Sequence, residues 1–184
     1  MDESLIGSVL DELGRTLRHV HPAGLDRAAD MIAEARAVFL AGAGRSALGI
    51  RGFAMRLMHL GRRVYVAGET TTPGIRKDDL LVIGSGSGKT AGLVAMSGKA
   101  RENGAKILLL TMDPSSPLGI AADHIIEIPA PTPKSGKSAG VSIQPMGTLF
   151  EQSLFITCDI LVLLLMRKLN LTSEEMFSRH ANLE

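Results

Sequence analysis

The sequence predicts an α/β protein in which a parallel sheet is covered on both faces by helices. Short runs that are apolar almost throughout alternate with segments of helical periodicity. Strands of that kind are buried on both faces, and their alternation with helices gives the doubly wound class with right-handed crossovers. The five predicted strands are residues 37–41, 63–67, 80–83, 106–111 and 124–128.

Helices are predicted before, between and after these strands. Apolar residues recur at helical spacing in 2–20 and 22–36, and Pro22 lies where a helix accepts proline. A helical tail is predicted at about 171–184. A chain of this length is sufficient for one hydrophobic core and too short for two, so residues 1–184 are interpreted as a single domain. The other predicted helices are 46–60, 90–103, 116–121 and 147–169.

The composition favours a small polar ligand over a nucleic acid. The formal net charge is +1 and aromatic residues make up 3% of the chain. A nucleic-acid surface needs a concentrated basic face or a platform of stacking aromatic rings, and neither is expected here. Ligands of doubly wound proteins bind beyond the carboxyl ends of the strands, so the site is predicted at that edge.

The apolar segments predict a cytoplasmic protein that does not span a membrane. The N-terminus is acidic and lacks the basic and apolar regions of a signal peptide. The longest apolar segment, 154–166, contains Asp159 and is predicted to be too short for a bilayer. Cys158 lies in that segment and is interpreted as a buried apolar residue rather than a catalytic thiol.

A loop rich in glycine and serine, residues 84–90, follows the third predicted strand. Glycines permit the sharp turns that bring several N–H groups around one oxyanion, and the hydroxyls of Ser85, Ser87 and Thr90 add donors. The helix that follows begins at the same place, and a helix N-terminus favours negative charge. The loop therefore predicts a phosphate site.

A nucleotide P-loop is a disfavoured alternative for this loop. That motif has a glycine, then four intervening residues, then Gly-Lys-Ser/Thr, so its first glycine would here be at position 83. Position 83 is Ile83, and Gly84 leaves the loop one residue short. Asp113, after a later strand, stays open as a magnesium ligand in this alternative.

A dinucleotide site is the second alternative, and it depends on the loop after the first strand. Gly42, Gly44 and Ala47 match the fingerprint G-x-G-x-x-A. Glu69 could supply the acid that binds the ribose, but it comes later than expected, and no second nucleotide-binding half follows. NAD is therefore disfavoured.

Other chemical groups are weaker candidates when the residues are considered alone. Glu151, near the start of the last long helix, could be a tuned base or simply a favourable charge at a helix N-terminus. His180 has the position of a surface histidine. The histidine and cysteine spacings match no metal site, so no metal is expected. The loop 129–146 carries Lys134 and Lys137, which could contact an anion but are more simply solvated.

Five segments considered together point to a family. They are AGAGRS at 41–46, FAMRLMHLG at 53–61, GETTTP at 68–73, QPMGTLFEQ at 144–152 and RHANLE at 179–184. With the hydroxyls of the 84–90 loop, they make the chain similar to the SIS (sugar isomerase) domain family, and within it to the 6-phospho-3-hexuloisomerases. The sequence departs from that pattern at Lys89 and at 47–50.

The resemblance implies a three-layer αβα sandwich around a five-stranded parallel sheet, with helical additions at both ends. It implies that Glu151 is the base and that His180 assists it, reaching a neighbouring subunit's site in a homotetramer. It implies no cofactor. The residues implied to hold the sugar phosphate are Ser46, Ser85, Ser87 and Thr90, and those implied more weakly to contact substrate are Gly44, Arg45, Gly86 and Gly88.

The activity implied by the resemblance is the interconversion of D-arabino-3-hexulose 6-phosphate and fructose 6-phosphate through an enediol or enediolate. That reaction belongs to formaldehyde assimilation by the ribulose monophosphate pathway. Two alternatives stay open: another aldose–ketose isomerase of phosphosugars, and a non-catalytic domain that senses them. A fused DNA-binding domain would favour the sensor, and the first 36 residues do not predict one.

Overall fold

The five predicted strands form one parallel sheet in the computed structural model, which describes residues 3–131 and 142–183. The strand order is β2-β1-β3-β4-β5, and every neighbouring pair is parallel. Each strand lies within one residue of its predicted bounds. The strands are β1 Val38–Gly42, β2 Val64–Val66, β3 Leu80–Gly84, β4 Lys106–Thr111 and β5 His124–Glu127.

The predicted helices are also present, and the predicted C-terminal tail contains one short helix. The third helix begins two residues earlier than predicted, at Gly44, which has a positive φ of 56°. The interpretation of 1–184 as a single domain stays a prediction. The helices are α1 Glu3–Arg18, α2 Pro22–Glu34, α3 Gly44–His59, α4 Ala91–Glu102, α5 Pro117–Ala121, α6 Thr148–Leu169 and α7 Ser173–Phe177.

The helices lie on both faces of the sheet, which confirms the three-layer αβα architecture. Alternate residues of each strand face opposite layers, as Leu40 and Val82 do against α2, α3 and α6. Phe39 and Leu81 face the other layer, formed by α4 and α5. Helix α1 packs on α6. The apolar runs are therefore continuous because both faces are buried.

Two glycines at strand ends let α3 lie close to the sheet. A Cβ on Gly42 would come 2.9 Å from Cα of Ala47, and a Cβ on Gly84 would come 2.5 Å from Cγ1 of Ile50. Both approaches are closer than real side chains allow. The absence of these two Cβ atoms brings the first two turns of α3 against the ends of β1 and β3, where the predicted phosphate loop starts.

Gly84→Ala is expected to lower the free energy of unfolding by about 1–3 kcal/mol, because the buried Ile50 has to move to make room. Gly98→Ala is the matched control, since a Cβ there meets nothing within 4 Å on the exposed side of α4. That control is expected to stabilise the protein by roughly 0.5–1 kcal/mol. Urea unfolding measures both, and a neutral Gly84→Ala would contradict the close packing.

Candidate active site

The predicted phosphate residues meet at one edge of the sheet. Gly42 and Gly84 are register partners at the ends of β1 and β3, which are neighbouring strands. The first turn of α3, which carries Ser46, therefore lies beside the 85–90 loop. Because parallel strands share a carboxyl edge, this is the edge where ligands of doubly wound proteins bind.

The 85–90 loop turns tightly and ends at the N-terminus of α4. Ser85 is buried, and its Oγ accepts a hydrogen bond from the Gly88 N–H at 3.2 Å. Ser87 is exposed, and its Oγ accepts from the Lys89 N–H at 3.3 Å. Thr90 is the N-cap residue of α4. In this arrangement the hydroxyl protons of Ser85 and Ser87 can be donated to a ligand.

The loop is supported from β4 and α5 by residues that the sequence analysis did not single out. The Gly86 carbonyl accepts hydrogen bonds from the Met112 N–H and from Oγ1 of Thr111, each at 3.1 Å. The Gly88 carbonyl accepts from the Leu118 N–H at 3.1 Å. Gly88 has a positive φ of 61°, and a Cβ there would clash with the side chain of the buried Ser116. Because these contacts join different elements, the local sequence held no signal for them.

Glu151 lies in the first turn of α6 and meets the first turn of α3. Nη1 of Arg45 donates to Oε2 of Glu151 at 2.7 Å, and the Glu151 side chain is 20% exposed. The other carboxylate oxygen, Oε1, lies on the side of Gly147, 3.6 Å from the position that a Cβ on that residue would take. The structure thus brings Arg45, which was predicted only weakly to contact substrate, into direct contact with the predicted base.

The start of α6 is held by a buried carboxylate on α1. Glu12 accepts hydrogen bonds from Oγ of Ser142 at 2.7 Å, from the Ile143 N–H at 2.8 Å and from Nε2 of Gln144 at 3.2 Å. Burial raises the pKa of Glu12, but these hydrogen bonds and the nearby Arg15 outweigh it, so the pKa lies below its ordinary value. A charged Glu12 therefore fixes the segment that leads into Glu151.

His180 does not join this site within its own chain. Its ring stacks on His59 with a centroid distance of 5.5 Å, at the C-terminal end of α3. Nη1 of Arg179 donates to the His59 carbonyl at 3.1 Å, which docks the C-terminal segment there. Ser46 lies at the opposite end of α3, about 20 Å away at the helical rise of ~1.5 Å per residue.

His59 is buried where the C-terminal segment docks, and its surroundings disfavour the protonated ring. Burial lowers the pKa of His59 below its ordinary value, and the charges of Arg56 and of protonated His180 lower it further. The folded protein therefore prefers neutral His59.

The wild-type protein is expected to lose stability on acidification more steeply than His59→Gln. The pKa of His59 is lower in the folded than in the unfolded chain, so the unfolded chain takes up the proton first as the pH falls. The stabilisation is complete above the unfolded pKa and is lost as the pH falls toward the folded pKa. Urea unfolding from about pH 7.5 to about pH 5 measures the two slopes, and equal slopes would contradict the assignment.

The residues of the disfavoured nucleotide alternatives have other partners. Nζ of Lys89 lies 3.1 Å from Oδ2 of Asp113, and Asp113 also accepts from Oγ of Ser115. Glu69 forms an ion pair with Arg51 at 3.2 Å. Within residues 3–131 and 142–183, no group of three or more histidine, cysteine, aspartate or glutamate side chains could hold a metal ion.

Two further predictions concern α6 and the long loop. Cys158 is buried, as predicted, and burial raises the pKa of its thiol. The prediction that the apolar segment 154–166 is too short to cross a bilayer was wrong on length. The helix that contains it, α6, has 22 residues and is long and apolar enough to span a membrane. Half of its most apolar window is buried against the rest of the protein, as in a core helix. Lys134 and Lys137 lie outside the described residues.

The sequence that forms this site matches a known protein family. Residues 31–155 match the family model of the SIS domain, which is more than half of the chain. The chain belongs to the SIS domain family. The α3 start, the 85–90 loop and the first turns of α6 all lie within the matched part of this SIS domain.

Similar proteins align with nearly the whole SIS-domain chain. It is 41% identical to a 3-hexulose-6-phosphate isomerase of Bacillus subtilis over 97% of both chains. It is 44% identical to a 3-hexulose-6-phosphate isomerase of Mycobacterium gastri over 96% of this chain and 88% of the relative. A hypothetical protein from Methanococcus jannaschii, whose crystal structure infers that same molecular function, has a TM-score of 0.84 at 34% identity, covering 98% of this chain and 99% of the other.

Proposed function

We propose that this SIS domain, taken as residues 1–184, interconverts D-arabino-3-hexulose 6-phosphate and fructose 6-phosphate. The observation that carries the proposal is the position of Glu151, whose side chain is largely buried. Its carboxylate accepts a hydrogen bond from Arg45 on α3, the helix that also carries Ser46, which is proposed to bind the phosphate. The relatives named 3-hexulose-6-phosphate isomerase support the choice of substrate, because they align over nearly the whole chain.

The phosphate supplies binding energy and orientation. Its oxygens would accept hydrogen bonds from the hydroxyls of Ser46, Ser85, Ser87 and Thr90 and from the N-termini of α3 and α4. The phosphate is on C6, whereas the carbonyl moves between C3 and C2. Binding at this remote group therefore positions the reacting carbons without taking part in the chemistry.

Glu151 would transfer the proton between the two carbons. In the direction of fructose 6-phosphate formation, it takes the proton from C2, and the electrons form an enediolate between C2 and C3. The same carboxyl group then returns a proton to C3, which becomes the alcohol carbon. Because Arg45 holds Oε2, we assign the proton transfer to the other oxygen, Oε1, which lies beside Gly147.

His180 would assist by relaying protons between the two oxygens or by stabilising their charge. Its place at the far end of α3 supports the proposal that it serves a neighbouring subunit. Leu48, Met55 and Phe155 leave an exposed apolar face on α3 and α6. Two copies that pair their α3 helices antiparallel over this face would bring each C-terminal segment to the partner's first turn of α3.

The oligomer and the cellular setting belong to the same proposal. A homotetramer needs a second contact surface, and the exposed apolar side chains of Leu5, Ile6 and Leu10 on α1 support one. We place the enzyme in the cytoplasm, in formaldehyde assimilation by the ribulose monophosphate pathway. The reaction as written needs no cofactor.

A substrate comparison tests the proposal. Purified protein in buffer with EDTA is given synthetic D-arabino-3-hexulose 6-phosphate, glucose 6-phosphate or arabinose 5-phosphate, and the products are followed by NMR. We expect conversion of the hexulose phosphate to fructose 6-phosphate and none of the aldose phosphates. Conversion of an aldose phosphate instead would indicate another phosphosugar isomerase, and tight binding without any conversion would indicate a sensor.

A further inference from the structure

The carbonyl of Gly86, inside the phosphate loop, is held by the end of β4. Thr111 is fully buried, and its Oγ1 donates a hydrogen bond to the Gly86 carbonyl at 3.1 Å. The same hydroxyl accepts from the Asp113 N–H at 3.2 Å, which directs its own proton toward Gly86. The Met112 N–H donates to the same carbonyl. Two donors from one strand end therefore fix the direction of this carbonyl.

Fixing the carbonyl also fixes the N–H on the other side of the peptide bond. The described residues contain no cis peptide bond, and in a trans peptide the C=O and the N–H point in opposite directions. The Gly86 carbonyl points toward β4, so the Ser87 N–H points away from β4. In the sheet order, β1 lies on that opposite side of β3, and Ser46 follows β1.

The Ser87 N–H has no acceptor among the residues that the structure describes. Ser87 is exposed, so this N–H is open to solvent or to a ligand, and a free donor beside other donors is typical of an anion site. The N–H is therefore available to a ligand on the side of β1 and the first turn of α3, where the phosphate is proposed to bind.

We propose that Thr111 is a positioning residue for phosphate binding, because it holds the Gly86–Ser87 peptide so that the Ser87 N–H donates to the phosphate. Thr111 does not touch the ligand and acts through this peptide alone. The inference rests on the proposed binding of a sugar phosphate at this site, but it does not depend on which isomerisation follows.

Thr111→Val tests this role because valine has nearly the same shape and lacks the hydroxyl. The Gly86 peptide then keeps one of its two donors and can rotate. We expect Kd for fructose 6-phosphate and for inorganic phosphate to rise about tenfold, the effect of losing one hydrogen bond to a charged group. KM is expected to rise with little change in kcat, because the phosphate is bound equally in the ground and transition states. Thr111→Ser keeps the hydroxyl and is expected to bind within about twofold of the wild type.

Calorimetry on the three proteins, with unfolding free energies measured in parallel, separates the outcomes. If Thr111→Val bound both probes as tightly as the wild type, Thr111 would not position the peptide. The same conclusion would follow if Thr111→Ser lost as much affinity as Thr111→Val. A wild type that binds neither probe would overturn both this inference and the proposed function. Binding without turnover, together with weakened binding in Thr111→Val, would overturn the isomerase proposal and leave the role of Thr111 standing.

The NMR signal of the Ser87 amide proton gives a second readout, which requires only the wild-type protein. In a ¹⁵N-labelled, deuterated wild type titrated with inorganic phosphate, we expect the Ser87 amide proton to shift downfield as it forms a charge-assisted hydrogen bond. If the shifts of other amide protons in the loop changed and reached saturation while that of Ser87 stayed constant, the assignment would be overturned.

Discussion

Glu151→Gln is expected to lower kcat by about 10³-fold, because proton transfer by a positioned side chain contributes roughly 10²–10⁴-fold. Glutamine keeps the length of the side chain and an oxygen that can accept from Arg45, so the first turns of α3 and α6 stay in contact. KM for the sugar phosphate is expected to change little, since Glu151 is not among the residues proposed to bind the phosphate. Steady-state kinetics and the rate of hydrogen exchange at the reacting carbon measure the two effects separately.

Glu127→Gln is the matched control for this substitution. Glu127 ends β5 at the same carboxyl edge of the sheet, but it is exposed and lies at the edge strand. Its replacement is expected to leave kcat within about twofold of the wild type, as for most surface changes away from a site. If Glu151→Gln retained exchange at the rate of Glu127→Gln, Glu151 would not be the base.

Mixing subunits of His180→Asn with subunits of Glu151→Gln is expected to restore activity that each variant lacks alone. If His180 serves the partner's site, a mixed pair has one site with both groups intact and one with neither. Random pairing across a twofold interface then gives about one quarter of wild-type activity. His180→Asn alone is expected to lower kcat by about 10²-fold. The activity of the whole population formed by equal co-expression of the two variants measures the effect.

Two results would contradict this shared site. Mixed oligomers no more active than the parent variants would show that Glu151 and His180 do not act across subunits. Wild-type activity in His180→Asn would remove the histidine from the reaction altogether. His21→Asn is the control, because His21 is an exposed histidine ahead of α2, and it is expected to keep full activity.

The central strands of the sheet, β1, β3 and β4, could be predicted from sequence because they are buried on both faces. The runs at Val38–Gly42 and Leu80–Gly84 are apolar at every position before the terminal glycine, and a strand of that kind needs no periodicity to be recognised. The position of the 85–90 loop between a strand and a helix was also predicted from its glycines and hydroxyls, and its binding of phosphate stays a prediction. The loop's spacing was enough to disfavour the nucleotide P-loop.

The contacts across the site could not be predicted, because each joins residues that are distant in sequence. Arg45 and Glu151 meet only when α3 and α6 pack side by side, and on sequence alone Glu151 was as simply explained by its helix N-terminus. Thr111 is an ordinary strand residue until β4 lies beside the Gly86 carbonyl. On sequence alone, His180 was interpreted as a surface residue. Its catalytic role came only from the family resemblance, and that role stays a prediction in the structure of a single chain.

Deuterium exchange into fructose 6-phosphate tests the central claim most directly. The sugar phosphate is incubated with the protein in deuterated water, and the labelled carbon is identified by NMR. We expect deuterium at C3 and none at C1, with exchange lost in Glu151→Gln and kept in Glu127→Gln. Deuterium at C1 alone would contradict the proposed reaction and indicate an aldose–ketose isomerase, and no exchange at any carbon would contradict an isomerase of this substrate.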